Sequence, residues 1–205
     1  VFESWKGYSE SNGKHKKIVD IYNAYLATAV KVNSTCNYHV SYTDAWCATA
    51  NSAAYIKAGL AVFFPIECSC PRMVANAKKM GIWKEADGYI PEPADSVLYD
   101  WQDGTNYAST DNTGTPDHIG MIVSVNKDAG TMLVIEGNKN DAVEYRTLNV
   151  NGRYIRGFIH PEISGTVSSK TVTSASAPSK DVAWNGKVTA SSLNVRTWAG
   201  TENST

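Results

Sequence analysis

Three side chains able to do nucleophilic chemistry stand far apart in this chain of 205 residues: the thiol of Cys47, the imidazole of His118 and the carboxylate of Glu136, with the Asn138 amide two positions on. An acceptor beside an imidazole holds the ring in one tautomer and stabilises the imidazolium that forms during proton transfer. A thiol in the first turn of a helix, beside such a ring, falls from a pKa of about 8.5 to somewhere between roughly 3.5 and 7.5. Each residue alone also has an ordinary reading: a packing thiol, a satisfied structural histidine, a solvated carboxylate at a strand end. Together they form the set that nucleophile, base and orienting acceptor require.

The elements around them decide whether they can meet. "DAWCAT" (Asp44 to Thr49) opens a run of small, helix-forming residues, with Asp44 as expected N-cap, Cys47 in the first turn and Gly59 as the stop. "HKKIVDIYNAYL" spaces Ile18, Ile21, Tyr22 and Tyr25 as one face of an earlier helix, and Pro71 suits the start of a third that ends at Gly81. Strands are expected over 96–99, 118–125, 132–136, 143–150 and 153–159, with Asn151-Gly152 as a type I′ hairpin turn. A hairpin centred near Asp128 or Ala129 brings His118 opposite the stretch from Glu136 to Asn138. The shared parity of the three then points them to one face. Helices followed by an antiparallel meander make an α+β domain.

Composition separates this domain from the C-terminal remainder of the chain. Residues 164–183 are dominated by Ser, Thr, Ala, Lys and Val, a linker composition, and residues 184–205 alternate like short strands but are too few to bury a core. The chain is therefore expected to comprise a catalytic domain over 1–163, a linker and the truncated start of a second domain. Nineteen basic residues balance twenty acidic ones, leaving no electrostatic footprint for nucleic acid. No apolar run approaches the roughly 18 to 20 residues that span a bilayer, so no membrane insertion is expected. Val1 opens neither with an initiator methionine nor with a signal-peptide pattern, which reads as a mature or excised segment.

The segments "YTDAWCATANSAAYIKAG", "PDHIGMIVSV" and "VIEGNKN" resemble the CHAP family (cysteine, histidine-dependent amidohydrolase/peptidase) of bacterial and phage peptidoglycan hydrolases. The resemblance runs from about Trp5 to Pro161 and implies a papain-like fold, with Cys47 as nucleophile, His118 as base, Glu136 as orienting acceptor and Asn138 as an auxiliary polar group. It implies cleavage of an amide bond in cell-wall peptide, or between muramic acid and its stem peptide, by a secreted or wall-associated monomer. No metal or other cofactor is expected. "VTASSLNVRTWAGT" is similar to the opening strands of bacterial Src-homology-3-like wall-binding domains. One departure is Thr49-Ala50-Asn51, where such helices often carry a bulky residue and Val; it predicts looser packing behind the nucleophile or a compensating neighbour.

Two other classes fit the same residues: a catalytically inactive wall-binding module, and a papain-like protease or acyltransferase acting on protein. Trp46, Trp83, Trp101 and Tyr107 are candidates for core or for a groove wall. Asp100, Asp103, Asp111 and Asp117 lack regular calcium-loop spacing and read as a turn-rich loop. Of the other thiols, Cys36 has the geometric option of bridging Cys68 or Cys70, although reduced thiols are expected. His15, His39 and His160 are expected at the surface.

Overall fold

The computed structural model describes residues 1–28, 32–34, 36–86, 88–101 and 113–163. The expected linker and second domain lie outside them, as do Asp103, Tyr107 and Asp111. A unit spanning Val1–Glu162 is mixed α+β. Three helices, α1 (Lys16–Leu26), α2 (Cys47–Lys57) and α3 (Cys70–Met80), precede strands β1 (Trp83–Lys84), β2 (Ser96–Tyr99), β3 (His118–Asn126), β4 (Thr131–Lys139), β5 (Ala142–Asn149) and β6 (Ile155–Ile159). The strands form one antiparallel sheet in the order β1-β6-β2-β3-β4-β5.

Residues Cys47 to Tyr55 of α2 are all buried, which marks a central helix rather than a half-wet one. Its small side chains permit a close approach by β4. A Cβ added at Gly137 would fall 2.4 Å from the Ala50 methyl and 3.0 Å from the Trp46 ring. The compensation expected for the small residues after Cys47 is thus a glycine across the interface. Asn51 is buried and satisfied: its amide donates to the Cys47 carbonyl at 3.2 Å and its Oδ1 accepts from Ser96 at 3.2 Å.

Three local expectations are corrected. Asp44 is not the cap of α2, because its Oδ2 is taken by the Tyr38 hydroxyl at 2.9 Å and the Ser41 N–H at 2.7 Å. The helix opens after Trp46 without a side-chain cap. Neither Asn151 nor Gly152 has the positive φ that a type I′ turn demands, and β6 pairs with β1 and β2 instead of β5. That turn lies between β4 and β5, where Asn140 (φ 51°) and Asp141 (φ 58°) join the paired residues Lys139 and Ala142. His15 is buried beneath Trp46, its ring nitrogens on the carbonyls of Ser9 and Tyr42. His160 is paired with Asp95 at 2.8 Å, while His39 is exposed as expected.

The β3–β4 hairpin turns over residues 127–130, and Asn126 pairs with Thr131. Regular pairing from that turn would set Glu136 opposite Met121, on the face away from His118, since directly opposed side chains share a face. One residue breaks the pattern. Ile122 pairs with Val134 but Ser124 with Leu133, so Val123 is an extra residue without a counterpart, a β-bulge. Beyond it Gly120 stands opposite Glu136, and His118 and Glu136 share a face.

Candidate active site

Cys47 is the first residue of α2, and its thiol sits at a helix start whose N–H groups have no side-chain cap. His118 opens β3 and Glu136 comes from β4. The imidazole Nε2 lies 3.2 Å from Glu136 Oε2, which leaves Nδ1 as the ring nitrogen open toward Cys47, whose thiol the ring influences electrostatically. Three of the four expected site residues are therefore brought together. Asn138 is not: among the described residues no hydrogen bond ties its amide to Cys47, His118 or Glu136. Its backbone turns to φ 59° where the β4–β5 register shifts.

Glu136 is fully buried, not the solvated strand end its sequence position suggests. Its Oε1 accepts from the Tyr99 hydroxyl at 3.0 Å and from Arg146 Nε at 2.7 Å. Burial pushes its pKa up, but His118 and Arg146 together hold the carboxyl below the usual range. Gly120 makes the close packing possible, since a Cβ there would lie 2.8 Å from Glu136 Cγ.

Sequence reasoning missed three residues around this set. Tyr99 pairs directly with His118, and Arg146 lies on β5 opposite Val134, on the Glu136 face. Their contact with Glu136 follows from the strand order, which local sequence does not encode. Cys70 is the third. It opens α3, also without a side-chain cap, and its Sγ lies 4.0 Å from Cys47 Sγ. Proline after a cysteine marks a helix start at Cys70-Pro71, but not that this start meets that of α2.

The thiols and the ring form one titrating unit. A hydrogen bond from Cys70 lowers the Cys47 pKa well below that of an ordinary thiol; burial opposes this, while His118 and the Ala48 N–H assist. Cys70 moves upward, chiefly because it holds its proton against the Cys47 sulfur. Burial would lower His118, yet Cys47 and Glu136 raise it to about 9. The three shifts favour a thiolate on Cys47 and a charged ring on His118, with the shared thiol proton kept on Cys70.

Trp101 stacks on Tyr99 at 4.7 Å, lies 6.2 Å from His118, and carries the Arg146 guanidinium 5.0 Å from its ring centre. It therefore borders the site. Trp46 belongs to the core, fully buried with its indole N–H on Glu10 at 3.0 Å. Asp117 accepts from the Trp101 N–H, and Asp100 is buried.

No protein-family model matches the chain, and no curated protein does. A solved structure described as the crystal structure of Ly7917 is similar at 12% identity and a TM-score of 0.37, over 70% of this chain and 62% of that one. The chain thus spans less than two-thirds of that structure's length.

Proposed function

We propose that this chain is a cysteine-dependent peptidoglycan hydrolase of the CHAP type, with a papain-like catalytic arrangement. The observation that carries the reading is the Cys47 thiol at an uncapped helix start beside His118, whose other nitrogen is fixed by the buried Glu136. The substrate class rests on the resemblance of the segments around these three residues.

In the proposed reaction the Cys47 thiolate attacks the carbonyl carbon of a wall-peptide amide. The developing oxyanion is met by backbone N–H groups at the start of α2, preorganised because no side chain caps them. His118, protonated in the resting pair, gives its proton to the departing amine. Its neutral ring then takes a proton from water, which opens the thioester and releases the acid. Glu136 stays ionised throughout, holding the ring in place and stabilising its charged form, with Tyr99 and Arg146 fixing the carboxylate.

Replacing Cys47 by Ala is expected to lower release of new amines or carboxylates from purified sacculi by at least about 10³-fold, with the far-ultraviolet spectrum unchanged. Undiminished release refutes the nucleophile assignment. Sacculus binding without amine release by the unaltered chain would instead indicate an inactive binding module. Cleavage of unfolded casein with sacculi untouched would indicate a protein protease. Mass spectrometry of released fragments separates amidase products, free stem peptides, from endopeptidase products, which are shortened or uncrosslinked peptides.

A further inference from the structure

A second pair of thiols lies away from the Cys47 site. Cys36 Sγ and Cys68 Sγ are 3.6 Å apart, and with one carboxylate oxygen of Glu67 they form a set whose ligand atoms all lie within 4.8 Å of one another. Cys36 and Glu67 are buried, and Cys68 is partly open. The hydroxyl of Tyr22, a fully buried residue, lies beside both sulfurs but makes no well-formed hydrogen bond.

We infer that Cys36, Cys68 and Glu67 bind a zinc-like divalent cation, with the Tyr22 hydroxyl as the fourth donor. Two thiolates on one tetrahedral zinc, at Zn–S distances of about 2.3 Å, stand about 3.8 Å apart. The observed 3.6 Å is close to that and far from the roughly 2.05 Å of a disulfide. Glu67 is already oriented as a ligand carboxylate needs to be, its Oε1 held by the Asn76 amide at 3.2 Å and by Arg72 at 3.4 Å. Charges also balance: two thiolates and a carboxylate meet a dication and the Arg72 guanidinium. A cleft of about 260 Å³ lined by Asn33, Ser34, Asn76, Lys79 and Met80 brings solvent to Asn76, beside Glu67.

The site is independent of the proposed reaction. It would tie the segment before α2 to the two residues that lead into α3, and so fix the helix start at which Cys70 touches Cys47. The ligand thiols must lose their protons on loading, so metal binding strengthens with rising pH.

Cobalt(II) is the probe, added to the reduced full chain carrying Cys47→Ser and Cys70→Ser so that only one thiol pair remains. One cobalt per chain is expected, with thiolate-to-metal charge-transfer absorption that zinc abolishes by displacement and that Cys36→Ser or Cys68→Ser removes. Asn76→Ala should weaken cobalt binding about 10- to 100-fold. Absence of the band from the folded, reduced chain overturns the site, as does its persistence in Cys36→Ser. Should the cysteine variants fail to fold, unchanged cobalt affinity in folded Asn76→Ala and Glu67→Gln overturns it equally. Isolation of a Cys36–Cys68 disulfide that takes up no cobalt after reduction does the same.

Discussion

Cys47 is buried, yet its pKa is drawn down rather than up, and the cause is the company it keeps. Burial alone would protonate it; the Cys70 S–H, His118 and a helix start outweigh burial. Among these the hydrogen bond from Cys70 contributes most. Cys70→Ala is therefore expected to raise the pH at which Cys47 becomes reactive, read as the acid limb of the iodoacetamide alkylation rate. Cys70→Ser, which keeps a donor, should restore much of the shift, and identical limbs in all three proteins would show that Cys70 only packs. Cys47, His118 and Glu136 are legible in the sequence by residue type, but the regular register that placed His118 and Glu136 on one face reaches the right answer only through the bulge at Val123, which the sequence does not announce. Asn138 is nominated by the same parity, but its backbone turns to φ 59° and among the described residues no hydrogen bond ties it to the other three. Tyr99, Arg146 and Cys70 are not legible, since each reaches the site through a pairing between elements distant in sequence.

Elements, more than residues, set the accuracy of the constellation. Gly120 is not required for a turn; it is required because Glu136 lies directly across from it. Gly120→Ala would place a Cβ 2.4 Å from a Val134 methyl and 2.8 Å from Glu136 Cγ. We expect a loss of about 1–3 kcal/mol in stability, typical of overpacking, seen as a lower Tm. A fall in turnover should accompany it as Glu136 is pushed off His118; an unchanged Tm and turnover would show that the sheet yields there without cost. Helix α3 and most strands are legible from Pro, Gly and alternation. The β3–β4 turn falls where the sequence places it, near Asp128 and Ala129, but the type I′ turn does not. Asn-Gly is the stronger type I′ pair by composition, yet Asn140-Asp141 makes the turn, because β6 is drawn away from β5 to pair with β2.

At the scale of the whole molecule, the charged pair links stability to pH in a way neither group would alone. His118, raised to about 9 from about 6.5 when unfolded, contributes stability that is full below pH 6.5 and lost as pH rises through 9. Cys47, lowered from about 8.5, contributes stability that is full above that value and lost as pH falls through its depressed pKa. The contribution of the pair is therefore greatest between these limits, declining toward alkaline pH as His118 gives up its proton and toward acid pH as Cys47 gains one. Urea denaturation across pH should show this maximum. In Cys47→Ala, where His118 loses the thiolate that helps to raise it, the alkaline decline should move below 9; a decline that stays at 9 would assign the His118 shift to Glu136 alone. The unpaired Val123 carries a further consequence for the chain as a whole. The catalytic half and the tip half of the β3–β4 hairpin are set in register separately, on either side of that residue. A strand residue gained or lost on the tip side is therefore expected to re-face only the tip, leaving His118 and Glu136 on their shared face.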